Sequence, residues 1–309
     1  MIQVRNLVKR YGDLVALDHF SLDVSHGEIF GLLGPNGSGK TTAINCMLSL
    51  LKYSKGDVCL FGEPMDPNNY AIKKRIGVVM QNVAVFNELT VFENIDYFCG
   101  LYIPDKARRR PLVEEAIDFT GLGEFRKFLP KKLSGGLLRR LNIACGIAHK
   151  PELIFLDEPT VAVDPQSRNH ILEGIRELNR NGATIVYTSH YMEEVEQLCS
   201  RIMIMDKGKA VATGTKEELK AMIRAGEKLT VEILDLPQPV LDEISALDGL
   251  AHAEYESGLL KARCVADSHC LGAVLDILTR NGIGFGRVFS EPPTLNDVFL
   301  EITGKDLKD

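Results

Sequence analysis

Gly34-Pro35-Asn36-Gly37-Ser38-Gly39-Lys40-Thr41 fills every defined position of the pattern G-x-x-x-x-G-K-S/T. Such a loop points its backbone N–H groups inward at an anion, and glycines allow the torsions and the close approach that this requires. We therefore expect these residues, with Thr42 behind them, to bind nucleotide phosphates, and Lys40 to supply positive charge. The hydroxyl of Thr41 is placed to ligate a magnesium ion that bridges two phosphates.

The residues on either side of this loop favour the same interpretation over an ordinary glycine-rich turn. Residues 28–33 are typical of a buried strand that enters the loop, with apolar residues from Ile29 onward. From Thr42 onward, apolar residues recur with the period of a helix at Ala43, Ile44, Met47, Leu48 and Leu51. The phosphates are thus predicted to lie at a helix N-terminus, where the helix dipole favours negative charge.

Composition limits what kind of protein this is. The chain has 309 residues, enough for two domains, with 45% hydrophobic residues and a formal net charge of −6. That charge gives no overall attraction for nucleic acid, so we expect no nucleic-acid partner. Seven scattered cysteines without a C-x-x-C pair fit a reducing cytoplasm. No stretch approaches 18 uninterrupted apolar residues, so we expect a cytoplasmic chain that does not span a membrane by itself.

Short β-like runs separated by turns precede the loop, at residues 2–4, 14–16 and 20–24. They predict a small antiparallel sheet at the N-terminus. Tyr11 follows the first run and is a candidate for stacking on adenine, although half-buried tyrosines are also common in edge strands.

Gln81 follows the predicted strand Ile76–Met80 at its carboxyl end. Ligands bind at that edge of an open parallel sheet, so its amide is a candidate for orienting water or reaching the metal ion. A glutamine in a plain turn is the alternative interpretation.

From Leu89 to Lys150 the pattern becomes helical, which predicts a helical subdomain at about residues 85–150 inserted in an α/β core. Within it, Ser134-Gly135-Gly136 opens a helix. A hydroxyl with two unhindered N–H groups at a helix N-terminus is a candidate for a second anion site, and an ordinary N-cap is the alternative.

Two further strands end in polar residues. The apolar run Leu153–Leu156 is typical of a parallel strand buried on both faces, and it is followed by Asp157 and Glu158. We expect Asp157 to hold magnesium and Glu158 to accept a proton from the attacking water. The run Thr184–Ser189 leads to His190, whose neutral ring is a candidate for contacting the γ-phosphate, whereas a lone histidine is more often structural.

These motifs follow one another in an order that resembles the nucleotide-binding subunit of an ABC transporter, over residues 1 to 220. On that resemblance Tyr11 is the adenine-stacking aromatic, residues 34–41 the Walker A motif, Gln81 the Q-loop and residues 133–136 the signature. Asp157 is then the Walker B aspartate, Glu158 the catalytic base, Asp164 the D-loop aspartate and His190 the switch histidine. The implied fold class is an α/β P-loop NTPase of the ABC ATPase type, with the N-terminal antiparallel sheet and the inserted helical subdomain.

The resemblance also implies the assembly. Two such subunits, expected to form a homodimer, would close head to tail over two ATP molecules, so that each site joins one P-loop to the signature turn of the other chain. Two positions depart from the usual pattern: Leu137 stands where glutamine is common, and Val161-Ala162-Val163 precedes Asp164 where a glycine-leucine pair is common. We expect these departures to tune closure without abolishing it.

The remaining residues form a second predicted domain, with 1–225 as the ATP-binding domain and 226–309 as a C-terminal accessory or dimerisation domain. The predicted order β-α-β-β-α-β, with a hairpin turning at Ser257-Gly258, matches a ferredoxin-like α+β domain. A final helix begins at Thr294. The stretch Thr294-Leu295-Asn296-Asp297-Val298-Phe299-Leu300-Glu301 is similar to the C-terminal signature of the daunorubicin-resistance branch, which exports drugs, lipids or polymers.

The sequence therefore predicts a magnesium-dependent ATPase that drives export through a separate integral-membrane permease and lies on the cytoplasmic face of the membrane. Two alternatives stay open at this point. One is an ABC-type ATPase that clamps a ribosome or nucleic acid. The other is a regulatory subunit that binds ATP without hydrolysing it.

Overall fold

The computed structural model describes residues 1–223, 225–266 and 268–304. The chain divides into two compact units, Met1–Thr215 and Lys216–Asp309. Among the described residues, no helix combines the length and the apolar character that crossing a membrane requires.

The first unit alternates strands and helices along most of its length. Its strands are β1 (Ile2–Tyr11), β2 (Leu14–Val24), β3 (Ile29–Leu33), β4 (Lys55–Leu60), β5 (Glu63–Pro64), β6 (Ile76–Val79), β7 (Leu153–Asp157), β8 (Thr184–Ser189), β9 (Arg201–Asp206) and β10 (Lys209–Gly214). Its helices are α1 (Lys40–Met47), α2 (Tyr70–Lys73), α3 (Val91–Gly100), α4 (Lys106–Phe119), α5 (Gly135–Ile147), α6 (Pro165–Arg180) and α7 (Met192–Leu198). Single 3₁₀ turns lie at Gly123–Phe125 and Pro130–Lys132.

The central sheet has six strands in the order β10-β9-β3-β8-β7-β6. Every neighbouring pair is parallel except β9 with β10. The strands β3, β7 and β8 are buried at every position, which suits the apolar runs in β3 and the first four residues of β7. Because they are parallel, their carboxyl ends meet at one edge, and the chain there carries the P-loop, Asp157-Glu158 and His190.

An antiparallel sheet in the order β2-β1-β4-β5 forms the N-terminal layer, as predicted. The predicted short runs were wrong in length, because β1 and β2 are continuous strands of 10 and 11 residues. Their pairing shifts register several times, and Asn6 and His19 have positive φ. Such bulges interrupt the alternation of apolar and polar residues by which a strand is recognised in a sequence.

The helical subdomain consists of α3, α4 and α5, which share a separate apolar core. Its buried residues are Val91, Ile95, Cys99, Val113, Ala116, Ile117, Leu122, Leu141, Ala144, Cys145 and Ala148. Thr90 opens α3 with a capping box, since its hydroxyl accepts a hydrogen bond from the Glu93 N–H while the Glu93 carboxylate accepts from the Thr90 N–H.

The second unit is an α+β domain with its own core. It contains α8 (Lys216–Ala221), β11 (Ala225–Ile233), α9 (Gln238–Ser245), β12 (Leu250–Glu256), β13 (Leu259–Val265), α10 (Leu271–Arg280), β14 (Phe285–Glu291) and α11 (Leu295–Thr303). Its antiparallel strands lie in the order β12-β13-β11-β14. From β11 to β14 the chain follows the β-α-β-β-α-β order, so the ferredoxin-like prediction is confirmed.

Candidate active site

The P-loop between β3 and α1 is closely supported by the chain around it. A Cβ atom on Gly34 would lie 2.6 Å from Ser38 Oγ, and one on Gly39 would lie 2.8 Å from the Ala16 carbonyl oxygen. Gly39 also has a φ of 107°, which side chains rarely adopt. Space therefore requires glycine at both positions, and torsion requires it at Gly39 as well.

Lys40 is the first residue of α1 and is only 5% exposed. Its ammonium donates hydrogen bonds to the carbonyl oxygens of Gly34 and Pro35, at 2.8 and 3.2 Å, and lies 3.3 Å from Glu158 Oε1. Burial lowers the pKa of Lys40, and the nearby Glu158 carboxylate opposes that change. Lys40 thus places a desolvated positive charge between the loop and Glu158.

Asp157 and Thr41 come together at the start of α1. The Thr41 hydroxyl donates to Asp157 Oδ2 at 2.9 Å, and the Thr188 hydroxyl donates to Asp157 Oδ1 at 2.7 Å. Asp157 is fully buried. A buried carboxylate held by two hydroxyl groups is fixed in direction, as a ligand to a small divalent ion must be.

Glu158 is the point at which the predicted catalytic side chains meet. Its Oε1 lies 3.3 Å from Lys40 Nζ, and its Oε2 lies 3.3 Å from Gln81 Nε2 and 3.4 Å from His190 Nδ1. The residue is 5% exposed. One carboxylate therefore touches side chains from the P-loop helix and from the carboxyl ends of β6 and β8.

The backbone of Glu158 is strained, with a φ of 48° in the left-handed region. The adjacent carboxylates have different partners, since Asp157 accepts from Thr41 and Thr188. The Glu158 N–H donates to Thr188 Oγ1 at 2.9 Å, and the Glu158 carbonyl accepts from the Arg139 guanidinium at 2.9 Å.

Arg139 was missed in the sequence, where it stands in an Arg-Arg pair that looks like a solvated surface. It is 4% exposed, and its guanidinium donates to the carbonyl oxygens of Met80, Gln81 and Glu158 at 3.1, 2.8 and 2.9 Å. Burial lowers its pKa. The signal that was available is its spacing of three residues from Gly136, which places it on the same buried face of α5.

Ser134, Gly135, Gly136 and Asp164 form a second group. Ser134 Oγ caps α5 by accepting from the Leu137 N–H at 3.3 Å, and Asp164 caps α6 by accepting from the Ser167 N–H at 2.9 Å. This bond lowers the pKa of Asp164. Gly136 packs against α6, since a Cβ there would lie 2.9 Å from Asp164 Oδ2, whereas Gly135 is exposed and has open space.

Tyr11 belongs to neither group by direct contact. It pairs with Leu14 at the end of the β1–β2 hairpin, is 46% exposed, and has Lys9 Nζ 4.6 Å from its ring centroid. Farther along β2, the Ala16 carbonyl faces Gly39 of the P-loop. The hairpin that carries Tyr11 therefore lies against the loop, and the ring remains available to a planar ligand.

The residues present fit a nucleotide with magnesium. Ser38 Oγ is buried and has no hydrogen-bond partner among the described residues, although it belongs to the loop that would hold a phosphate. Within the same part of the chain, no group of three or more His, Cys, Asp or Glu side chains is arranged to hold a metal by itself. Thr41 and Asp157 supply only two oxygen ligands, which suits an ion that completes its shell with water and phosphate oxygens.

Comparison with known proteins agrees with this geometry. Residues 17–161 match the family model described as ABC transporter. The chain is similar to the linearmycin resistance ATP-binding protein of Bacillus subtilis, with 36% identity over 100% of both chains, and to the daunorubicin resistance ATP-binding protein DrrA3 of Streptomyces coeruleorubidus, with 35% identity over 99% of this chain and 96% of the other. A dimeric ATP-binding cassette solved in a post-hydrolysis state with ADP and Pi matches at a TM-score of 0.64 and 27% identity, covering 70% of this chain and 98% of that one.

Proposed function

The chain belongs to the ATP-binding subunits of ABC transporters, which are ATPases, and from this premise we propose that it drives export through a separate membrane permease. In this proposal two copies hydrolyse magnesium-ATP at two shared sites, on the cytoplasmic face of the membrane. The observation that carries it is the meeting of Lys40, Gln81 and His190 on the Glu158 carboxylate.

The P-loop half of the chain holds the phosphates. The N–H groups of residues 34 and 36–39 and the Lys40 ammonium bind phosphate oxygens, and Ser38 Oγ gains a hydrogen-bond partner that it does not have among the described residues. Thr41 and Asp157 would hold magnesium directly or through water, and Gln81 would reach the same shell. The ion supplies charge stabilisation for the phosphoryl group that is transferred.

Glu158 acts as the general base that accepts a proton from the attacking water. Its carboxylate is held at both oxygens, and its backbone is fixed by Thr188 and Arg139. Gln81 and His190 approach the same oxygen, so both lie where they can orient that water and the γ-phosphate. The chain's contribution to catalysis is therefore mainly positioning and charge stabilisation.

The exposed group of residues 134–136 with Asp164 binds the ATP held by the other copy. Ser134 and Gly135 lie exposed at the N-terminus of α5, where the helix dipole favours a phosphate. Leu137, Val161, Ala162 and Val163 border this group, and we propose that they tune the closing of the dimer. Tyr11 stacks on the adenine, and residues 226–309 act as an accessory domain that stabilises the dimer.

The export direction is supported by the relatives, whose names describe resistance to linearmycin and daunorubicin, and by the stretch 294–301. The experiment is to purify the tagged full chain from its native membranes in mild detergent, and to measure both its ATP hydrolysis and the proteins that accompany it. We expect a polytopic membrane protein in stoichiometric amount. Recovery with ribosomal components or nucleic acid, and no such membrane protein, would contradict the proposal.

A further inference from the structure

Glu194 is a buried carboxylate that the mechanism above does not use. It lies on α7, four residues after His190, and is 3% exposed. A charge so deeply buried is costly unless it is paired and hydrogen-bonded, so its surroundings indicate what it holds in place.

One carboxylate oxygen of Glu194 accepts hydrogen bonds from three hydroxyl groups. Its Oε2 accepts hydrogen bonds from Tyr187 OH at 2.7 Å, Thr160 Oγ1 at 2.8 Å and Ser189 Oγ at 3.1 Å. Burial raises the pKa of Tyr187 well above its usual value, and the Glu194 charge adds to this effect, so its hydroxyl stays protonated as a donor. These donors come from two elements, β8 and the segment that follows Glu158.

The other oxygen leads to α6 and, through it, to Tyr191. Glu194 Oε1 lies 3.3 Å from Arg168 Nε, on the first turns of α6. The Arg168 guanidinium lies 4.8 Å from the centroid of the Tyr191 ring, and that ring lies 4.2 Å from the His190 ring. Arg168 therefore reaches from α6, which Asp164 caps, to the aromatic neighbour of His190.

Ser189 completes the connection to His190. While its hydroxyl donates to Glu194, the same oxygen accepts a hydrogen bond from the Tyr191 N–H at 2.9 Å. The residues on both sides of His190 are thereby tied to Glu194. His190 Nδ1 lies 3.4 Å from Glu158 Oε2. Among the described residues, no group makes a hydrogen bond of suitable geometry with this nitrogen.

We propose that Glu194 is a positioning residue for ATP hydrolysis. Through Ser189 and Tyr191 it fixes the place of His190 against Glu158. Through Thr160 and Arg168 it couples the position of the His190 ring to residues 161–164, which face the other copy in the proposed dimer. This inference rests on the proposed role of His190 in hydrolysis.

The test is a double-mutant cycle in the full chain, with kcat and KM for ATP measured at saturating magnesium. We expect Glu194→Gln to lower kcat about 10-fold with KM changed less than about 2-fold, since the substitution disturbs positioning and not ATP binding. In a His190→Ala background the same substitution should lower kcat no further, because Glu194 acts through His190. Glu193→Gln, at an exposed position of the same helix, is the matched control and should leave kcat unchanged.

A second pair of variants covers the case in which Glu194→Gln does not fold. Ser189→Ala and Tyr187→Phe each remove one hydroxyl donor from the same oxygen, but only the first also removes the acceptor of the Tyr191 N–H. We expect Ser189→Ala to lower kcat about 3-fold or more, and Tyr187→Phe to lower the unfolding temperature with kcat retained.

The outcomes separate the inference from the proposed function. Effects of Glu194→Gln and His190→Ala that multiply, or a wild-type kcat for Ser189→Ala, would assign Glu194 a structural role only and overturn the inference. If His190→Ala itself left kcat unchanged, the proposed role of His190 would fail, and the inference with it.

Discussion

The two groups of site residues in this chain are built in opposite ways. Around Glu158 the paired charges of Lys40 and Glu158 are buried, and Gln81 and His190, which follow β6 and β8, approach the same carboxylate. Around Ser134 the polar groups are exposed, and the side-chain bonds that Ser134 and Asp164 make within the described chain cap their own helices. The first group is complete within one chain, whereas the second faces outward, as expected of a surface that serves another copy's ATP.

The largest expected effect is at the buried group. Glu158→Gln keeps the shape of the side chain but removes the base, so we expect hydrolysis to slow by a factor on the order of hundreds while ATP binding is retained. Single-turnover hydrolysis and nucleotide binding, measured on the same preparation, check this. Glu152→Gln, an exposed carboxylate paired with Arg75, is the control. A variant that hydrolyses ATP at the normal rate would remove Glu158 from its role.

The next effect tests whether Arg139 links the signature helix to the buried group. Arg139→Met removes a donor from three carbonyl oxygens, of which that of Glu158 is fully buried, so we expect a loss of about 2–4 kcal/mol in the free energy of unfolding, together with slower hydrolysis. Arg140→Met is the matched variant, since Arg140 bonds only the Thr120 carbonyl among the hydrogen bonds that the structure resolves. The free energy of unfolding of both variants is measured by urea denaturation. Equal losses in the two variants would show that Arg139 does not link α5 to the group around Glu158.

Gly135 and Gly136 are neighbours in the chain, but the first is exposed and the second is buried. Gly136→Ala forces a Cβ to 2.7 Å from Ser167 Cβ, and we expect this to cost about 1–3 kcal/mol of stability. At Gly135 the nearest atom to such a Cβ is the Ala162 carbonyl oxygen at 3.9 Å, so Gly135→Ala should leave stability within about 0.5 kcal/mol. The loss of stability in each variant is measured by thermal unfolding. A larger loss for Gly135→Ala than for Gly136→Ala would contradict the packing of α5 on α6.

The smallest effect lies outside both groups, at His149. Its ring stacks on Tyr102 and its Nε2 bonds the Ile76 carbonyl, and burial lowers its pKa to about 4. Below about pH 6.5 this histidine therefore binds a proton in the unfolded chain but stays neutral in the folded chain, down to about pH 4. The free energy of unfolding therefore decreases as the pH falls from about 6.5 toward 4. Between about pH 7 and pH 5.5 we expect a loss of about 1 kcal/mol.

His149→Gln provides the control, because an amide keeps a donor for the Ile76 carbonyl and does not titrate. The difference in unfolding free energy between the two chains is measured across that pH range. A difference that stays constant with pH would contradict the assignment to His149.

The sequence predicted the parts of the molecule whose signal is local. The strand and helix around Lys40, the polar residues at the ends of β7 and β8, and the Ser257-Gly258 hairpin turn, with φ values of 53° and 82°, each depend on neighbours in the chain. Their spacing alone was enough to predict the ferredoxin-like order of the second unit.

What the sequence did not show depends on distant partners. Arg139 is buried because three carbonyl oxygens from two other segments converge on it, and Glu194 because hydroxyl groups from β8 and Thr160 surround it. Neither residue type is expected in a core unless it is paired, and the pairing exists only in the folded chain. The bulges of β1 and β2 likewise depend on pairing between strands.

The central claim is that each ATP site needs the buried group of one chain and the exposed group of another. It is tested by mixing Lys40→Ala chains, defective in the first group, with Gly135→Glu chains, defective in the second. The glutamate fits the open space and the helix N-terminus but repels a facing phosphate. Each variant alone should be inactive, and an equal mixture should recover up to about a quarter of the wild-type hydrolysis, since a mixed dimer has one intact site. No recovery on mixing, or full activity of Gly135→Glu alone, would contradict the account.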